Sequence, residues 1–226
     1  HINDNNASDM VDILRSKTTV TVLPEYLSSS DIVYNLKGIV RYQPTLTTRT
    51  ASNLLSTVLM KLNSKYSGKE MNRELNLTQI KQDIQSIEPS LTNAAFDFMV
   101  TTLSHGVPVS STNNQIYFRQ ELEDNSLTSD FFMSIDSVHP IKIESYGNID
   151  LKNEKKIRSY YHDNFGLKTI VNTTLGKINY SRGSVTFYGG KSQEYFSIHV
   201  KPYSETVTAK QNLTLDVSFS GLEIQP

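Results

Sequence analysis

The alternation of hydrophobic and polar positions between residues 31 and 103 outlines a single strand, helix, helix, strand unit. Ile32, Tyr34, Leu36, Val40 and Tyr42 share one face at period two, the spacing of a half-buried strand, and Pro44 stops it. Ala51, Leu54, Leu55, Val58, Leu59 and Leu62 then form a stripe at helical spacing, with Asn53, Lys61 and Lys65 away from it. A threonine at 47 or 48 is placed to cap that helix, and Gly68 offers its stop. Leu77, Ile80, Ile84 and Ile87 step by three, four and three, which predicts a second helix from about Thr78 that Pro89 ends. Ala94, Phe96, Phe98, Val100 and Thr102 fall on one face of a strand expected beside the first, with both helices on one side. Apolar surface left over on this unit is expected to meet other subunits.

Ahead of the unit, residues 1–9 are polar, residues 10–15 fit a short helical turn, and Thr18 to Leu23 is a β-rich run ended by Pro24. Behind it the helical period disappears. Short strands are predicted at 116–119, 131–135 and 141–144, parted by the acidic stretch 121–125 and by Pro140. Residues 152–162 are polar and basic and read as a link or surface turn. Residues 177–180 and 184–187 form a hairpin around Ser181-Arg182-Gly183, where glycine supplies a positive φ. Phe196, Ile198 and Val200 mark another strand, and Val207 to Phe219 a long one with room for a bulge near Gln211 or Asn212. The expected class is α+β: a small strand-helix-helix-strand unit followed by mostly antiparallel β structure, including a C-terminal β-sandwich-like domain. The divisions are a lead-in and first strand (1–30), the unit itself (31–103), a β-rich middle segment or insertion (104–165) and a C-terminal antiparallel domain (166–226).

Composition narrows this reading. Twelve Tyr, nine Phe and no Trp among 226 residues lean toward β structure, and a net charge of −1 leaves no electrostatic footprint for nucleic acid or an anionic membrane. No apolar run approaches the roughly 20 residues that span a bilayer. With no cysteine there is no disulfide, thiolate metal site or cysteine nucleophile. The first residue is His, which points to a fragment of a longer chain.

Catalytic signatures are sparse. Gly189-Gly190-Lys191-Ser192 ends like a phosphate-binding loop, but the first glycine of that motif would fall at Val185, and strand-like residues follow where a helix is required, so a turn is the better reading. The histidines at 1, 105, 139, 162 and 199 lack metal-ligand spacing, and Glu121, Glu123, Asp124 and Asp130 lack the pattern of a calcium loop. Gly-x-Ser-x-Gly is absent, while a triad assembled from distant residues leaves no local trace. No cofactor or metal is expected. Tyr160, Tyr161, Phe165 and Tyr195 are candidate surface aromatics for a protein interface or a carbohydrate platform, against the reading that they are ordinary core and rim residues.

The order of elements carries a resemblance. Tyr26-Leu27 and Ile32 to Tyr42, the Leu54 to Leu62 helix, and Leu75-Asn76-Leu77-Thr78-Gln79-Ile80-Lys81-Gln82-Asp83-Ile84-Gln85-Ser86-Ile87 resemble the C-terminal region of baseplate wedge proteins of contractile-tailed bacteriophages, within the J-like baseplate family. The β-rich tail is matched by Leu175 to Val185 and by Ile198-His199-Val200-Lys201-Pro202 with Val207, Ala209 and Leu213. The resemblance covers residues 18–103 and 166–220, with 104–165 matching less clearly. It implies a non-enzymatic structural assembly protein of the virion tail baseplate, assembled in the bacterial host cytoplasm. Its partners would be other copies of itself, as a dimer, and other wedge proteins. The alternative from the residues alone is a carbohydrate- or receptor-binding β module.

Overall fold

The computed structural model describes residues 30–226 apart from 72, 93–94, 108–113, 136, 189–193 and 210–212. The expected early helical turn and strand, the Gly-Gly-Lys-Ser stretch and the expected bulge at Gln211 or Asn212 lie outside the described residues.

Strand β1 (Ser30–Arg41) buries Ile32, Tyr34, Leu36 and Val40 on the predicted face. It pairs antiparallel with β4 (Phe96–Val107), the expected neighbour, but a register shift between Ile39 and Val40 sets Met99 and Leu103 inward in place of the predicted Val100 and Thr102. Between them come helix α1 (Ala51–Tyr66), short strands β2 (Glu70–Met71) and β3 (Glu74–Asn76), and helix α2 (Leu77–Ser86). Leu54, Val58 and Leu62 of α1, and Leu77, Ile80 and Ile84 of α2, are the buried stripes. The cap of α1 differs from expectation. Thr50 accepts from the backbone N–H of Asn53, because a 3-10 turn at Pro44–Leu46 delays the helix, and the Thr47 hydroxyl donates instead to Glu88. Asn76 caps α2 in the same manner. Asp83 of α2 accepts from Lys65 and Tyr66 of α1 and from Gln79; burial alone would raise its pKa, but these bonds prevail and hold the carboxyl below its usual range.

The rest of the chain is β: β5 (Asn114–Tyr117), β6 (Thr128–Ser129), β7 (Lys142–Tyr146), β8 (Glu154–His162), β9 (Lys168–Asn179), β10 (Ser184–Phe187), β11 (Phe196–Val200), β12 (Thr206–Thr208) and β13 (Leu213–Gln225). A six-stranded sheet has the order β2-β13-β1-β4-β11-β6, a five-stranded sheet β5-β10-β9-β8-β7, and β12 pairs with β3 alone. Among the described pairings only β1 with β13 is parallel; the others are antiparallel. The predicted hairpin is β9–β10, with Gly183 at φ +58 where a β-carbon would collide with the Gln120 carbonyl. Strands from 166–226 are shared between both large sheets: β9 and β10 enter one, β11 and β13 the other.

Two local readings are corrected. Residues 154–162, read as a link or turn, form strand β8 near the middle of its sheet, because Lys155, Ile157 and Ser159 alternate inward; Lys155 is buried by pairing with Asp124 and Asn125. The strand read from Val207 to Phe219 falls in two sheets, Thr206–Thr208 (β12) against β3 and Leu213–Gln225 (β13) against β1. Strand β13 keeps its odd parity through Phe219 and then bulges, since Asn35 opposes Ser218 but Lys37 opposes Gly221. The extra residue turns Leu222 and Ile224 inward. One hydrophobic cluster takes side chains from the helices and both sheets, joined by Phe196 of β11, which stacks on Phe132 and meets Phe187 of β10 edge-on. Among the described residues, no helix is long and apolar enough to cross a membrane.

Since β13 lies between β1 and β2 and carries α1, a chain ending at Ala209 is expected to show no cooperative unfolding in urea. A cooperative transition at the wild-type midpoint would remove β13 from the core of the fold.

Candidate functional site

Strand geometry separates the four candidate aromatics. Tyr160 and Tyr161 are consecutive on β8, so they point to opposite faces. Tyr161 packs inward beside His139, with ring centroids 4.6 Å apart. Tyr160 lies on the outer face of the five-stranded sheet, under the Lys168 ammonium at 4.2 Å. Phe165 sits at the tip of the β8–β9 hairpin, 90% exposed. The Asp163 side chain fixes that tip by accepting from the N–H groups of Phe165 and Leu167. Tyr195 lies against the other sheet, its phenol across Gly106 of β4 where any β-carbon would collide with it. Tyr160 and Phe165 therefore share one end of one sheet, and Tyr195 stands apart from them.

That end carries more apolar surface than the sequence indicated. Lys142 opposes Tyr160 and Tyr160 opposes Ile170, so the segment leading into β7 runs beside the hairpin tip. Phe131, Ile135 and Val138 from that segment and Phe165, Leu167 and Ile170 from the hairpin are all exposed. In the 31–103 unit, where uncovered apolar surface was expected, only Leu46 and Met60 are exposed large hydrophobics among the described residues.

A second concavity occupies the opposite end of the same outer face. Register shifts flank Ser159, and residues 173–175 of β9 bulge between Asn172, opposite Ser159, and Gly176, opposite Ile157. The bulge and the β7–β8 turn enclose a cleft of about 490 Å³ that Tyr146 and Tyr188 line together with Glu154, Lys156 and Lys177. Glu144 links the two ends. It accepts from Arg158, whose guanidinium lies 5.0 Å from the Tyr146 ring centre, and from Lys168 above Tyr160. Burial would raise the Glu144 pKa, but hydrogen bonds from Lys168 and Arg158 outweigh it and hold the carboxyl below its usual range.

A third arrangement left no local signal in the sequence. On the outer face of the six-stranded sheet the Asn35 amide donates to Ser104 Oγ at 2.6 Å; Ser104 Oγ meets His199 Nδ1 at 2.6 Å, and His199 Nε2 meets an Asp130 carboxylate oxygen at 2.9 Å. With the proton on Nε2, the row runs serine to histidine to carboxylate, the polarity of a hydrolytic triad with the ring nitrogens exchanged. Ser104 is buried and holds a partner on each side, and its strand is paired along both edges. The row thus ties β1, β4, β11 and the residue after β6 across an open sheet face. Among the described residues no cluster of three His, Asp or Glu is arranged to hold a metal. No protein family matches the chain, and no curated protein matches it at a significant level.

Two outcomes follow from these networks. Because the folded pKa of Glu144 lies below its unfolded value, its contribution is present above the usual carboxylate range and is lost as pH falls through the folded pKa. Glu144→Gln is expected to cost about 1 kcal/mol in urea unfolding at neutral pH and little at about pH 3. Ser104→Ala, which leaves His199 Nδ1 without its partner and the Asn35 amide with the Val33 carbonyl alone, is expected to cost about 1–3 kcal/mol in the same assay.

Proposed function

We propose that this chain is a structural assembly protein that works by protein–protein contact, with the apolar end of its five-stranded sheet as the docking surface. The observation that carries this reading is the exposure of Phe131, Ile135, Val138, Phe165, Leu167 and Ile170 on the two segments that meet at the Lys142–Tyr160–Ile170 end of the sheet. Large apolar side chains gathered at one place on a soluble surface mark contact sites, and aromatic anchors on rigid supports dominate interface energies. The hairpin meets that requirement, since Asp163 holds its tip before any partner arrives.

The resemblance of the strand-helix-helix-strand unit and the β tail to J-like baseplate wedge proteins supports a more particular reading. The chain joins copies of itself, as a dimer, and neighbouring wedge subunits in a contractile phage tail baseplate. In that reading the C-terminal β structure is the sandwich-like body that presents the hairpin, and the helices on β13 form a second face of the particle.

Light scattering across a concentration series tests this. Self-association is expected in the micromolar range or pairing with wedge subunits, and Phe165→Ser with Leu167→Ser is expected to weaken it about tenfold or more. A strict monomer that pairs with no wedge subunit would count decisively against the assembly role.

A further inference from the structure

We propose that the Tyr146–Tyr188 cleft is a binding site for an acidic saccharide, taking the pyranose ring of a uronic acid. The site lies at the opposite end of the sheet from the apolar docking surface and does not depend on the assembly reading. Its volume, about 490 Å³, falls in the range of small-ligand sites.

One wall is built in advance. The Tyr146 hydroxyl donates to the Thr173 carbonyl at 2.5 Å, and Arg158, itself held by Glu144, lies over the ring, so the aromatic plane is fixed before a ligand arrives. Tyr188 is half exposed, and its backbone N–H is tied to the bulge through the Leu175 carbonyl at 2.9 Å. Two tyrosines suit the apolar C–H face of a sugar ring, while Asn148, Thr173 and Thr174 supply amide and hydroxyl groups for its hydroxyls.

Lys156 supplies the cation that an acid would meet. Lys177 is engaged by both oxygens of Glu154, at 3.0 and 2.9 Å. The Asp150 carboxylate accepts from the backbone N–H groups of Glu154 and Lys152, which hold its pKa down and keep it ionised at the cleft wall. Lys155 is buried on Asp124. Lys156 alone among the lining cations has no ion-pair partner among the described residues. It opposes both Tyr146 and Lys177 in the register, which places it in the row between the wall and the Glu154–Lys177 pair. A ligand carboxylate completes that row, and a neutral sugar leaves it unfilled.

Amide-detected NMR titration with trigalacturonate, against neutral maltotriose, is the test. Trigalacturonate is expected to shift amides at Tyr146, Lys156, 173–177 and Tyr188 with a Kd of about 1 mM or tighter, weakening as salt is added. Lys156→Gln should weaken it about tenfold and Tyr188→Ala should abolish it, each with the remaining amide spectrum unchanged, since both side chains are exposed. Three results would overturn the proposal: no shifts at the cleft with trigalacturonate on a folded protein, maltotriose binding as tightly with no effect of Lys156→Gln, or a glutamate-rich peptide filling the cleft while trigalacturonate does not.

Discussion

The parallel pairing of β1 with β13 is the constraint on which the other contacts depend. Asp31 and Thr214 stand opposite one another 183 residues apart in the chain and hydrogen-bond through their side chains. Closing so long a loop is entropically costly, and the ladder is offset by the apolar strip it buries: Ile32, Tyr34, Leu36 and Val40 on one strand, Leu213, Leu215, Phe219, Leu222 and Ile224 on the other. With β13 in place, α1 has a seat, and Tyr66 meets Phe219 edge-on at 5.9 Å. Arg73, buried behind the helix, donates to the carbonyls of Tyr66 and Gly68 and reaches that of Leu215. The N-terminal unit is therefore completed only by the last strand of the chain.

What the sequence displayed, and what it concealed, follows from the range of each interaction. The stripes of α1 and α2, the face of β1 and the β9–β10 hairpin are set by neighbours within a few residues or one turn, and periodicity exposes them. Strand β8 was concealed because its inward positions include Lys155 and Ser159, whose burial depends on Asp124 and on the sheet around them. The parity of β13 switches at a bulge set opposite β1, whose Asp31 lies 183 residues from its partner Thr214. The Tyr146–Tyr188 cleft and the Ser104–His199–Asp130 row gather residues from separate strands, and no spacing along the chain announces them. Phe165 was legible as a surface aromatic; that Asp163 and Gly166 build its support was not.

The outer faces of the two large sheets differ in kind. On the six-stranded sheet the Asn35–Ser104–His199 row satisfies its polar groups internally and ends at an exposed carboxylate. On the five-stranded sheet cations lie over rings, Lys142 over Phe131, Lys168 over Tyr160 and Arg158 over Tyr146. Such pairs set a charged, hydrated group over each large aromatic face. One sheet face thus joins its polar groups to one another, and the other covers its rings with cations.

Arg73 joins the end of α1 to β13 through carbonyls. A guanidinium does not titrate in the accessible range, and neither do the carbonyls it holds. Acid protonates Asp83, which joins α1 to α2, and Glu144, which ties β7 to β8 and β9, while the joint between the end of α1 and β13 keeps its full complement of bonds. Low pH therefore weakens the Asp83 link between the helices, while α2 stays packed through buried Leu77, Ile80 and Ile84 and α1 keeps its Arg73 link to β13.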